Sequence, residues 1–112
     1  MSISLQQKEQ IIKNFYLLFD HFIEKEEIRK KISVTFQNQK VKGLTRYLPQ
    51  TEEFIISFWE REFTEELLVK VVSHEFTHLY LHLFYGWHTH QDEIFLAYAD
   101  HFLTWLRQNK LN

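Results

Sequence analysis

Two histidines and a glutamate in one short segment have the spacing of a metal-dependent hydrolase site. Residues 74–78, His74-Glu75-Phe76-Thr77-His78, form an HExxH motif. On a helix, residues four apart lie one turn above each other, so the imidazoles of His74 and His78 can reach one zinc ion. Glu75 can then hold a water at the metal and take its proton, because zinc lowers the pKa of that water. The motif therefore predicts peptide-bond hydrolysis by a zinc-bound water that Glu75 activates.

A catalytic zinc needs a third protein ligand, and two residues after the motif are candidates. The metzincin continuation HxxGxxH is absent. His90 follows His78 by 12 residues and Glu93 follows it by 15. These two candidates are three residues apart, so both can face the same way at the head of a helix. One of them is expected to bind zinc, and the other can orient a ligand from outside the coordination sphere.

Other polar residues near the motif have both a functional and a structural interpretation. His82 lies one turn beyond His78, so it is either close to the metal ligands or a partly exposed histidine near the helix end. Asp100, seven residues after Glu93, is either the acceptor of a ligand imidazole's second N–H or a solvated helix acid. The candidates for the group that stabilises the oxyanion are Tyr47, Tyr85 and His88.

The chain ahead of the motif predicts one long helix and then a small sheet. Apolar residues recur every three or four positions from residue 5 to about residue 31, which indicates an amphipathic helix. Alternation and β-branched residues then predict strands at 32–36, near 44–48 and at 53–59, with a turn at 49–51 between the last two.

The motif itself falls in a predicted helix. Thr64 has the side chain of an N-cap and is followed by Glu65 and Glu66, and this helix is expected to run to about Phe84. Residues 89–92, Thr-His-Gln-Asp, have the form of a capping box that begins a last helix ending near residue 109. The order of helix, two or three strands, helix, helix predicts an α+β fold.

Composition limits the remaining classes of protein. The 112 residues fit one domain, which we take as a single zincin-like metallopeptidase domain over 1–112. The absence of cysteine excludes disulfide scaffolds, cysteine zinc fingers and a cysteine nucleophile. A formal charge of −2 gives no global attraction to nucleic acid or an anionic membrane. No apolar run has the ~18 residues of a membrane span, and the first ten residues lack a secretory pattern, so we expect a cytoplasmic protein.

The order of motifs between Ile32 and Phe95 is typical of one family. A short strand is followed by a glycine-containing segment ending in Arg-Tyr, an alternating apolar strand, an acidic helix start and HExxH. These motifs are residues 32–36, 43–47, 54–58, 65–66 and 74–78. In this order the chain resembles the SprT-like zinc metalloproteases, the group that includes the Spartan DNA–protein crosslink proteases.

The resemblance implies a zinc-dependent endopeptidase with a polypeptide substrate. The third ligand in that family is a histidine at the start of the next helix, with a phenylalanine a few residues on, and His90 and Phe95 match those positions. The resemblance therefore favours His90 over Glu93. The family's frequent cysteine zinc ribbon is missing, and no basic nucleic-acid-binding segment stands out. Action on DNA-bound protein substrates is implied by the resemblance alone.

A weaker resemblance connects the chain to minimal gluzincins and to metallopeptidases of the ImmA/IrrE type. In those proteins the helix after HExxH supplies a glutamate, and Glu93 would be that ligand. Ile94 stands where the ImmA/IrrE pattern has alanine, and Ala97 and Ala99 are out of register with its later Phe-Ala pair. This alternative predicts a zinc-binding regulatory or latent module with little turnover. A metal-free α+β interaction protein is the third hypothesis.

Overall fold

A small mixed sheet underlies the fold in the computed structural model, which describes residues 1–86 and 92–110. In that part of the chain the sheet has three strands, β1 (Ile32–Gln37), β2 (Gly43–Leu48) and β3 (Glu53–Trp59). Their order is β1-β3-β2, with β1 parallel and β2 antiparallel to the central strand β3. The predicted strands are confirmed to within one residue at each end.

The loop between β1 and β2 crosses the end of the central strand, because β1 and β2 lie on opposite sides of β3. The Trp59 N–H donates to the Lys42 carbonyl at 3.1 Å, and the Gln39 side-chain amide donates to the Ser57 carbonyl at 3.3 Å. These bonds attach the loop to β3. As a result, Lys40 and Lys42 lie where the chain enters the edge strand β2.

Helices pack on one face of this sheet. The described residues form α1 (Leu5–Phe22), α2 (Glu26–Arg29), α3 (Glu65–Tyr85) and α4 (Glu93–Asn109). The sheet face that they cover presents Phe54, Ile56 and Phe58, each at most 3% exposed and part of one core with the helices. Burial of that apolar face against the helices is the main favourable contribution to folding. The predicted α+β fold is confirmed.

The prediction of one continuous helix to about Lys31 is wrong, because the first helix is shorter. α1 ends at Phe22, and Glu24 has a left-handed backbone with φ of 55°. The Glu24 N–H donates back to the Phe19 carbonyl at 3.1 Å and closes the helix end. Arg29, at the end of α2, then lies over α1. Apolar spacing cannot reveal such a break, because a helical pattern continues into α2, which begins at Glu26.

The third helix carries the HExxH motif through the centre of the molecule. It begins as predicted, because the Thr64 hydroxyl accepts a main-chain N–H of the first turn at 3.2 Å. It packs between α1 and α4. Phe76 is fully buried in its middle, and its ring meets those of Phe15 at 5.8 Å and Phe102 at 4.9 Å. The motif is therefore held by packing on both sides.

The start of the last helix differs from the predicted capping box. Asp92, expected inside the helix, has an extended backbone with ψ of 131°, and its carboxylate accepts the Ile94 N–H at 2.9 Å. Asp92 is therefore the N-cap, and α4 begins at Glu93. Aspartate and threonine are both preferred N-cap residues, so the sequence alone allows the helix to begin after either Thr89 or Asp92. Thr89 and His90 lie outside the described residues.

None of the helices formed by residues 1–86 and 92–110 has both the length and the apolar character of a membrane span.

Candidate functional site

His74 and His78 lie one turn apart on α3 and point to the same side of it. Their ring centroids are 5.0 Å apart, with the rings nearly perpendicular. Both rings also contact Phe95 of α4, at centroid distances of 5.0 Å for His74 and 4.7 Å for His78. Both histidines are half-buried. The structure therefore brings the two predicted imidazoles together at the junction of α3 and α4.

Glu75 lies beside this pair and is almost completely buried, with 3% of its surface exposed. One carboxylate oxygen, Oε2, is 4.0 Å from Nε2 of His74. The other, Oε1, accepts the hydroxyl hydrogen of Thr45 at 2.7 Å. Burial raises the pKa of the Glu75 carboxyl to about 7, against the opposing effect of the Thr45 hydrogen bond. A carboxyl with a pKa near neutrality is suited to accept and return a proton.

The edge strand β2 lies directly against the Glu75 side chain. A Cβ atom on Gly43 would lie 2.8 Å from both Cγ and Oε2 of Glu75 and 2.9 Å from a methyl group of Val71. Glycine is required here for close approach. Gly43, Thr45 and Tyr47 alternate along β2 and share the face of the sheet that presents Phe54.

Sequence reasoning placed Gly43 and Thr45 in the glycine-containing motif at 43–47 but did not connect either residue with Glu75. The signal that could have pointed to them is the alternation of small residues at the start of a predicted strand. Only the contact between β2 and α3 connects that pattern to Glu75, because Thr45 and Glu75 are 30 residues apart.

A cavity of about 330 Å³ adjoins the motif on the His78 side. Its lining residues are Thr45, Tyr47, Phe54, His78, Leu81, His82, Gly86 and Phe95. The His82 ring packs against those of Tyr47 at 4.2 Å and Phe54 at 5.2 Å, and burial lowers the pKa of His82. His82 is therefore a half-buried residue of the cavity wall. We call this space the aromatic cavity.

The other sequence candidates lie in different places. Tyr47 lines the aromatic cavity together with His78. The Tyr85 hydroxyl lies 2.7 Å from that of Tyr98, so it makes a contact between α3 and α4. This hydrogen bond, with burial, raises the pKa of Tyr98 to about 12. Asp100 is exposed on α4, and His88 lies outside the described residues.

The described part of the motif offers two imidazoles, those of His74 and His78, and the Glu75 carboxyl as groups that could face a metal ion. Within residues 1–86 and 92–110, no three His, Asp or Glu side chains are grouped as metal ligands. Glu93, the alternative third ligand, is exposed in the first turn of α4 and belongs to no such group. His90, the ligand that the resemblance favours, lies outside the described residues. Paired imidazoles on one helix face, next to a buried carboxyl, fit the donor chemistry of zinc.

Comparison with known proteins finds no match: no family model fits the chain, and no curated protein or solved structure is significantly similar to it. The resemblance to SprT-like proteases therefore depends on the motifs alone.

Proposed function

We propose that this chain is a zinc-dependent metallopeptidase of the SprT-like kind, with a polypeptide substrate. The observation that carries the proposal is the position of Glu75, a buried carboxyl beside two imidazoles on one face of a packed helix. His74 and His78 would hold the metal, with His90 as third ligand by resemblance and Glu93 as the alternative. Bound zinc would lower the pKa of a water and polarise the scissile carbonyl group.

The residues of the chain account for the proton transfers. The Glu75 carboxylate takes a proton from the attacking water and passes it to the amine that leaves when the peptide bond breaks. The Thr45 hydroxyl holds that carboxylate in one orientation. The absence of a side chain on Gly43 leaves room for it. The aromatic cavity beside His78 is large enough to receive an apolar side chain of the substrate. DNA-bound protein substrates enter the proposal by family resemblance alone.

The decisive experiment is Glu75→Gln in zinc-loaded protein, assayed on a denatured protein substrate. Glutamine keeps the size of the side chain and removes the base. We expect the cleavage rate to fall about 10²- to 10⁴-fold, the usual contribution of a general acid–base residue. Zinc content by elemental analysis should stay at the parent value. Glu9→Gln, at an exposed position of α1, is the matched control and should cleave as the parent does. Unchanged cleavage by the Glu75→Gln protein would show that Glu75 is not the base.

The third ligand is tested by zinc content in two further variants. We expect His90→Ala to lose zinc during dialysis and Glu93→Ala to retain it. The opposite result would assign the third ligand to Glu93 and favour the gluzincin-like alternative.

A further inference from the structure

A second cavity, of about 460 Å³, opens on the other side of the motif. Its lining residues are Lys40, Val41, Lys42, Gly43, Lys70, Val71, His74 and Glu75. Among these described residues are three lysines and a single carboxyl group, that of Glu75. We call this space the lysine cavity. Its charge contrasts with the formal charge of −2 of the whole chain.

Two separate parts of the fold supply the lysines. The crossing loop between β1 and β2 carries Lys40 and Lys42, and Lys70 lies on α3 one turn before His74. All three lysines are exposed. Lys42 packs over Trp59, and its ammonium nitrogen lies 5.1 Å from the centre of that ring.

One acid of α3, Glu66, interacts with Lys70. Lys70 lies one turn after Glu66 and contributes to lowering the pKa of that carboxyl. The largest cause of that lowered pKa is a hydrogen bond from Arg107 of α4. Glu66 therefore has another cationic partner, and it does not line the lysine cavity.

The HExxH motif lies between the two cavities. His74 and Glu75 line the lysine cavity, whereas His78 lines the aromatic cavity. An extended chain that passes over the motif would therefore place one segment among lysines and the other among aromatic and aliphatic side chains. Opposite charges across such a surface select a partner and fix its register.

We infer that this cleft selects a polypeptide segment with acidic side chains on one side of the scissile bond and an apolar side chain on the other. The inference rests on the proposed function and specifies its substrate class. Carboxylates of the substrate would pair with Lys40 and Lys70, and Lys42 would add to the positive potential.

The site fits a peptide better than a nucleic acid. Single-stranded nucleic acids bind through tracks of cations and aromatic faces on which bases stack. Here the rings of Phe54 and Phe95 are at most 3% exposed, and they pack against His82 and the two motif histidines. Acidic peptide carboxylates can pair with the exposed lysines of the lysine cavity.

Binding of fluorescent peptides to zinc-loaded Glu75→Gln protein tests the inference without turnover. Each matched pair has a leucine on one side of a central bond and either Asp-Glu or Asn-Gln on the other, in both orders along the peptide. We expect the acidic member of one pair to bind about tenfold more tightly, the combined effect of two or three partly exposed ion pairs. Adding Lys40→Gln/Lys70→Gln to the Glu75→Gln protein should remove most of the preference, because only Lys42 remains in the cavity. The control Lys13→Gln/Lys30→Gln removes the same charge at exposed positions outside this cavity and should keep the preference.

Four outcomes separate the possibilities. Equal binding of acidic and amide peptides by the Glu75→Gln protein with its lysines intact would overturn the inference, and so would a preference that keeps its full size after Lys40→Gln/Lys70→Gln. Single-stranded DNA that binds more tightly than the acidic peptide and depends on the same two lysines would overturn the assignment to a peptide. The fourth outcome is a lysine-dependent preference in the Glu75→Gln protein together with no cleavage by the protein that has Glu75. It would support the inference as a binding specificity and overturn only the proposed function.

Discussion

At the scale of single residues, the environment of Glu75 determines what the site can do. A carboxyl group this deeply buried favours its neutral form, because low polarity penalises the charge. Thr45 provides the hydrogen bond that opposes this effect, and it reaches Oε1 at 2.7 Å. Gly43 provides the space for the side chain. Thr45 therefore orients the Glu75 carboxyl and opposes the effect of burial on its pKa, and Gly43 leaves room for the side chain.

We predict that Thr45→Val lowers kcat/KM on a denatured protein by about tenfold or more, because a hydrogen bond to a charged group contributes about 1.5–3 kcal/mol. Valine keeps the shape of threonine and removes the hydroxyl. Thr45→Ser keeps the hydroxyl and should retain most of the activity. Zinc content should match the parent in both variants. Equal kcat/KM for the valine and serine variants would contradict a positioning role of the hydroxyl.

At the scale of elements, α3 and β2 form the site, and the two glycines serve them in different ways. Gly43 is needed because β2 lies against α3, and its Cβ would collide with Glu75 and Val71. Gly86 ends α3 with φ of 81° and ψ of −142°, a backbone conformation that is essentially confined to glycine. A Cβ on Gly86 would meet no atom within 4 Å. The cost of a side chain there is therefore one of backbone conformation.

We predict that Gly86→Ala lowers the free energy of unfolding by about 1–3 kcal/mol, the usual cost of a non-glycine residue in such a conformation. Urea denaturation followed by circular dichroism measures it. Lys13→Ala, at an exposed position of α1, is the reference and should stay within about 0.5 kcal/mol of the parent. A Gly86→Ala protein as stable as that reference would show that the end of α3 adjusts without strain.

At the scale of the whole molecule, the proposed zinc site predicts that metal binding and folding are coupled. The paired histidines lie on a helix that packs against α1, α4 and β2. A metal ion that binds them in the folded state, and not in the unfolded chain, would therefore stabilise the fold. The core beneath the motif is built from aromatic rings of α1, α3 and α4, including Phe15, Phe76 and Phe102. Unfolding of this core separates the histidines of α3 from any ligand supplied by a later part of the chain.

We predict that zinc raises the midpoint of thermal unfolding by several degrees, and that a chelator reverses the shift. Free zinc at a hundred times its dissociation constant adds about 2.7 kcal/mol to the stability of the folded state. His78→Gln should abolish most of the shift, whereas His101→Gln, at an exposed position of α4, should keep it. A parent protein whose midpoint does not respond to zinc would contradict both zinc-dependent hypotheses.

Local sequence patterns determined the elements and the pairing of His74 with His78. The strands, the Thr64 N-cap and the length of α3 follow from alternation, helical spacing and capping chemistry, which act over a few residues. The same patterns could not show the break at Glu24 or choose Asp92 as N-cap, because each alternative satisfies the local spacing.

Only the tertiary structure decided what surrounds Glu75. Sheet order places β2 at the edge beside α3, and this brings Gly43 and Thr45 to a carboxyl some 30 residues later in the chain. The loop that crosses from β1 to β2 also brings Lys40 to the cavity that Lys70 of α3 lines. Burial, pKa and charge complementarity depend on which segments pack together. The sequence therefore identified the groups that can do chemistry, and packing raised the pKa of Glu75 and defined the two cavities on either side of the motif.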